Sequence, residues 1–129
     1  MAFMRSLATA ALAAMTLLLA GTLSAAELRL IMVEQPGCIY CARWDAQIAP
    51  IYPKTPEGRI APLERVQLRG PYPPDVRLQR PPTFTPTFIL VADGAEVGRI
   101  EGYPGEDFFW GLLDQLLQEA GAWPAETGQ

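Results

Sequence analysis

Glu34-Gln35-Pro36-Gly37-Cys38-Ile39-Tyr40-Cys41-Ala42-Arg43-Trp44 holds both cysteines of this chain. Ahead of it, Leu28 to Val33 is a short apolar run rich in branched residues, the pattern of a buried strand. Gln35-Pro36-Gly37 breaks that run. Ile39 to Ile48 then has helical composition with no Gly or Pro. Cys38 and Cys41 therefore fall where a loop enters a helix. The N–H groups at a helix start are unpaired and carry the positive end of the macrodipole. Both effects stabilise a thiolate, the reactive form of cysteine.

Further along, Pro50, Pro53 and Pro56 end or kink the helix. Ten prolines lie between Pro50 and Pro86. They leave Leu63 to Arg69, where Val66 and Leu68 alternate with polar residues, as the one strand-like run of that span. Gly70 to Pro82 reads as an extended ordered loop, either a surface connector or a wall of a groove near the cysteines. Pro86 to Val91 is a second clear apolar strand. Asp93-Gly94 is a hairpin signal, and Glu96 to Glu101 is the return strand, with Val97 and Ile100 apolar. Pro104-Gly105-Glu106-Asp107 opens a helix with acid in its first turn. Phe108, Phe109, Leu112, Leu113, Leu116, Leu117 and Ala120 form one broad apolar face on it, and Gly121 ends it. The first crossover should make a parallel strand pair and the hairpin an antiparallel one. The fold expected is α/β: one mixed four-stranded sheet flanked by helices.

The chain has 129 residues, room for one domain. Met1 to Arg5 is a short basic start, Leu7 to Ala20 is an almost unbroken apolar run, and Ser24-Ala25-Ala26 is a small-residue cleavage pattern. Residues 1–26 read as a signal peptide for export, cleaved after Ala25 or Ala26. The apolar run falls short of the roughly 20 residues a spanning helix needs. The domain expected is 27–121, followed by a loose tail at 122–129. All 14 acidic residues and nine of the ten basic ones lie after the leader, so the mature chain carries a formal charge of −5. An acidic domain with Lys54 as its one lysine has no electrostatic footprint for nucleic acid. It has no histidine, which excludes Ser-His-Asp and Cys-His nucleophile pairs and His-ligated metal sites. No G-x-G-x-x-G or P-loop is present to hold a nucleotide or flavin.

In an exported protein a cysteine pair can be a plain staple. A bridge across two intervening residues closes a tiny loop and removes little chain entropy, so the spacing favours chemistry over reinforcement. Two Cys and no His leave a structural zinc site two ligands short. A Cu(I) site could add Met32 to the two thiolates, but Met32 lies on a buried strand, where core packing is its simpler role. No metal and no cofactor beyond a redox-active Cys38–Cys41 disulfide are expected.

The element order resembles the thioredoxin fold. Cys38-Ile39-Tyr40-Cys41 sits after a first strand and opens a helix. Phe84-Thr85-Pro86-Thr87-Phe88 resembles the family strand that begins with a cis-proline beside the active site. Asp93-Gly94 and Gly102 match its final hairpin. The stretch from Glu34 to Trp44, with Ile48 to Pro53 and the proline-rich connector, is similar to the periplasmic thioredoxin-like SoxS proteins of bacterial sulfur-oxidation systems. That resemblance implies a periplasmic thiol–disulfide oxidoreductase. It would reduce a cysteine of the pathway's sulfur-carrier protein and be reduced in turn by a membrane thiol–disulfide transporter. A monomer is expected. There are departures. Thioredoxins have Trp-Cys-Gly-Pro-Cys, whereas Gly37 precedes Cys38 here and Ile39-Tyr40 lies between the cysteines. The first-strand aspartate of thioredoxins is replaced by Met32, with Glu34 the nearby acid. No histidine separates the cysteines, as it often does in periplasmic disulfide oxidants.

Cys38, first at the helix entrance, is expected to attack, and Cys41, one turn further in, to resolve the mixed disulfide. Gly37, Ile39, Tyr40, Thr85 and Pro86, with Phe84 and the turn at Gly102-Tyr103, form the expected docking face. Trp44 is expected to pack beneath it. A periplasmic disulfide oxidase or isomerase, or a non-enzymatic binding or Cu(I)-carrying module, are the alternatives.

Overall fold

Strand β1, Leu28–Glu34, is central because its seven residues supply apolar side chains to both of its faces. The computed structural model describes residue 21 and residues 24–124. Most of the expected signal peptide and the end of the expected tail lie outside the described residues. After β1 come helix α1 (Ile39–Gln47), a 3-10 turn at Tyr52–Lys54, helix α2 (Pro56–Ile60) and strand β2 (Leu63–Gln67). Strands β3 (Thr87–Ala92) and β4 (Ala95–Glu101) and helix α3 (Glu106–Glu119) complete the order.

The sheet is mixed, in the order β2-β1-β3-β4. The α1–α2 crossover returns the chain parallel, with Leu30 beside Leu63 and Val33 beside Val66. On its other edge β1 runs antiparallel to β3, and β3 to β4. Asp93 and Gly94 both have positive φ, 48° and 82°, as a two-residue hairpin of this hand requires.

Alternation splits the strands between two clusters. Leu28, Leu30, Met32, Phe88, Leu90 and Ile100 pack with Trp44, Ile48 and Tyr52 and with Phe109, Leu113 and Leu117 of α3. The centre of this face is aromatic. Trp44 lies 5.2 Å from Phe88 between ring centroids, and Phe88 5.0 Å from Phe109. The opposite face, Ile31, Val33, Val66, Ile89 and Val91, is covered by no long helix among the described residues. It is covered by Leu68, Tyr72, Val76 and Leu78 of the proline-rich connector. These four side chains are half-buried, and each apolar Å² they cover stabilises by roughly 25 cal/mol, so the connector is a layer of the fold.

A register shift between Leu90 and Val91 sets Glu96 beside Val91 and Arg99 beside Ile89. Residues three apart in a regular strand face opposite ways. The shift instead puts Glu96 and Arg99 on the connector face. There they form a buried bidentate ion pair of 2.6 and 2.8 Å. The Gln79 N–H donates to Glu96 at 2.7 Å, and Arg99 donates to the Arg80 carbonyl at 2.7 Å. Arg77 adds a bridge to Ala95. The connector closes so tightly on the hairpin that a Cβ on Gly94 would lie 2.5 Å from the Asp75 carbonyl oxygen.

Three expectations need correction. The apolar face of α3 is narrower than its sequence implied. Phe109, Leu113 and Leu117 are buried, but Phe108 is 70% and Leu112 39% exposed. A helix laid on a sheet buries the i, i+4, i+8 row, and Phe108 and Leu112 stand on its flank. Val97 is also exposed, because the register shift displaces it from alternation. The expected order passes from the cysteine helix directly to the strand at Leu63, but α2 intervenes: it starts with Thr55 capping the Gly58 N–H at 3.0 Å and Pro56 in the first turn.

Candidate active site

Gly37, at φ 78°, turns the chain into α1, and Cys38 is its N-cap residue. The Cys38 sulfur accepts the Cys41 N–H at 3.1 Å. Cys38 and Cys41 are joined as a disulfide with their Cα atoms 5.2 Å apart. The two sulfurs sit in different surroundings. Cys38 is half-buried at the helix mouth, whereas the Cys41 residue is 5% exposed and belongs to the aromatic core. A single N–H from the first turn already faces the outer sulfur, the contact that favours negative charge there once the bond opens.

Ile39 and Tyr40 project outward at 68% and 53% exposure, since they occupy the outer face of the first turn. Across from them runs Phe84-Thr85-Pro86. The Thr85-Pro86 peptide bond is cis, and Pro86 is buried. Two hydrogen bonds fix this loop at the head of β3: the Thr87 hydroxyl donates to the Phe84 carbonyl at 2.8 Å, and the Gly102 N–H to the Pro86 carbonyl at 2.8 Å. Gln35 reaches across, and its Nε2 donates to the Thr85 hydroxyl at 2.9 Å.

Two grooves border the first turns of α1, and the disulfide lines the smaller of them. The larger, ≈ 850 Å³, runs between Tyr40, Arg43 and Gln47 on α1 and Phe84-Thr85-Pro86, with Glu101 to Gly105 closing its end. The smaller, ≈ 470 Å³, holds Gly37, Cys38, Ile39 and Cys41 with Glu34 and Asp45. The expected docking residues are thus divided between two adjoining concavities. Tyr103 lines the larger groove as a mostly buried side chain, and its hydroxyl donates to Gln47 at 2.5 Å. Burial, then nearby Glu106, raise its pKa. Tyr103 therefore supports the groove rather than offering a free ring. Trp44 is fully buried under the site.

Met32 is fully buried where its strand passes the site. Glu34 is half-buried and engaged: Arg65 bridges it at 2.5 Å and Asp45 at 2.7 Å. Burial lowers the Arg65 pKa, but the bonds to Asp45 and Glu34 outweigh it, and the net shift is upward. Among the described residues no group of three or more His, Cys, Asp or Glu side chains is placed to hold a metal ion. No helix among them is long and apolar enough to cross a membrane.

Sequence reasoning missed Arg43, Gln47 and Gln35. For the first two a signal existed, since Tyr40, Arg43 and Gln47 recur at i, i+3, i+7 on one helix face. Gln35 meets Thr85 fifty residues away, and nothing local announces that contact.

Residues 22–117 match the family model described as a thioredoxin-like domain. The crystal structure of the periplasmic thioredoxin SoxS from Paracoccus pantotrophus, in its reduced form, is 65% identical to this chain, with a TM-score of 0.72. The match covers 73% of this chain and 99% of that one. Nothing among curated proteins matches.

Proposed function

The chain belongs to the thioredoxin-like family and is a thiol–disulfide oxidoreductase, and on that premise we propose that it keeps the sulfur-carrier protein of a sulfur-oxidation pathway reduced in the periplasm. The reading is supported by its 65% identity to a periplasmic thioredoxin SoxS. In this proposal residues 1–26 direct export and are removed, and residues 27–121 act as a monomeric domain. A membrane thiol–disulfide transporter supplies the electrons.

The observation that carries the chemistry is the asymmetry of the two sulfurs. Cys38 caps a helix and accepts an N–H, while Cys41 is shielded. The cycle starts when the transporter's dithiol reduces the Cys38–Cys41 bond and becomes a disulfide itself. The Cys38 thiolate then attacks a disulfide sulfur on the carrier. One S–S bond breaks, its leaving sulfur departs as a thiolate that takes a proton, and a Cys38–carrier mixed disulfide forms. Cys41, deprotonated, attacks the Cys38 sulfur. The carrier cysteine leaves as a thiolate and the Cys38–Cys41 bond is restored, so two electrons have passed to the carrier. Gly37, Ile39, Tyr40, Thr85 and Pro86 dock the carrier segment, the backbone at Thr85 pairing with it as an added strand would.

Replacing the resolving cysteine tests this directly. Cys41→Ser should accumulate a dithiothreitol-sensitive mixed disulfide with the sulfur-carrier protein in native periplasm, and Cys38→Ser should trap nothing. Capture by Cys38→Ser alone would reverse the two roles. Capture of only general secreted disulfide proteins would replace the carrier assignment with a disulfide oxidase or isomerase.

A further inference from the structure

Tyr40, Arg43 and Gln47 make one wall of the larger groove. Two of the three are already occupied. Gln47 accepts the Tyr103 hydroxyl, and Tyr40 lies under the Arg43 guanidinium, which stands 5.2 Å from the ring centroid. That stacking holds the cation in place without neutralising it. Among the described residues Arg43 forms no ion pair, and none of its five side-chain N–H donors has a protein acceptor. The carboxylate lining this groove, Glu101, is bonded to Arg80 and has Arg99 at 4.0 Å. The uncommitted charge in the groove is therefore positive, in a chain whose formal charge is −4.

We infer that Arg43 makes the groove selective for a partner segment carrying a carboxylate beside its reacting cysteine. This deepens the docking role proposed above and rests on it. A protein that is acidic overall repels acidic partners at long range. A cation inside the groove restores attraction only for a segment that is correctly seated, which converts charge into register. The planar guanidinium suits this because it can meet a carboxylate with two parallel N–H bonds. Tyr40, being exposed and stacked, supplies the apolar contact against which the segment lies.

The test uses the whole mature protein, reduced to its Cys38/Cys41 dithiol form with dithiothreitol and freed of the reductant, and two six-residue peptides, each with one cysteine in a mixed disulfide with a chromogenic aryl thiol that leaves as the thiolate when Cys38 attacks the peptide sulfur. The peptides differ only in Glu or Lys two positions from that cysteine. The quantity read is the ratio of second-order exchange rate constants, Glu peptide over Lys peptide. In Arg43→Ala the ratio should fall about fivefold, the upper range for one partly exposed charge pair. Arg43→Lys should keep most of it, and 0.5 M salt should compress it in the wild type. A ratio unchanged in Arg43→Ala, or lost equally in Arg43→Lys, overturns the inference. Absence of exchange with either peptide in the wild type would instead overturn the docking and attack scheme on which it rests.

Discussion

The two faces of the sheet are covered by different kinds of chain. One face is sealed by helices, with Trp44, Phe88 and Phe109 in ring contact at its centre. The other is sealed by a proline-rich connector whose Leu68, Tyr72, Val76 and Leu78 lie on five aliphatic residues, pinned by the Glu96–Arg99 pair. The first cover comes with its own internal hydrogen bonds. The second has few, so it depends on contacts with β4 to stay in place. The candidate site lies where the two covers meet. Cys38 and Tyr40 arrive on a helix, and Phe84-Thr85-Pro86 arrives from the end of the connector. A site of this kind is only as well set as the weaker cover.

The largest effect should come from the helix face. Phe109→Ala removes a fully buried ring in contact with Trp44, Phe88 and Tyr103. It should cost about 4 kcal/mol in urea unfolding at neutral pH. A loss below about 1 kcal/mol would mean that the aromatic stack is not the principal support.

The connector face should yield next. Glu96→Ala leaves Arg99, whose side chain is 6% exposed, without its carboxylate. Removing one partner of a buried pair costs about 3 kcal/mol. The accompanying sign is in pH. Burial raises the Glu96 pKa, but the bonds from Arg99 and the Gln79 N–H lower it more, and it lies below the ordinary 4.5. The stability from this depressed carboxylate is fully present above the unfolded value and disappears as pH falls through the folded one. Thermal midpoints of the wild type should therefore drop below about pH 4.5, and Glu96→Gln should flatten that part of the slope. Parallel slopes would show that the pin does not titrate in this window.

The same contrast explains what could be read from residues alone. Leu28 to Val33, Pro86 to Val91, Asp93-Gly94 and the helix after Pro104 carry period and turn signals that act within a few residues, and each element formed where its pattern lay. The placement of Cys38 at a helix entrance was legible for the same reason. The connector was not. Val76 and Leu78 are too few and too broken by proline to show a period, and the cluster they pack against is assembled from three strands, with Ile31, Val33, Val66, Ile89 and Val91. The Glu96–Arg99 pair depends on a register shift that no local rule announces. Arg65 binding both Glu34 and Asp45 is likewise a product of strand order rather than of any motif.

The smallest effect should come from the tie between the two covers at the site itself. Gln35, on the loop entering α1, donates to the Thr85 hydroxyl at 2.9 Å, so one side-chain hydrogen bond links the cysteine loop to the connector's end. Gln35 is exposed, and water can replace its bond, so Gln35→Ala should cost under about 1 kcal/mol of stability. Its influence should appear in docking, because Thr85 is then held only by its own loop. With a peptide disulfide substrate, KM should rise about twofold while kcat stays within error, since the sulfurs themselves are untouched. Thr85→Val removes the same acceptor with little change of shape. If the tie is what matters, the double variant should bind no worse than either single one, leaving a coupling of roughly 0.5 kcal/mol. Additive losses would mean that Gln35 and Thr85 contact the partner separately, and that the two covers are joined at the site by packing alone.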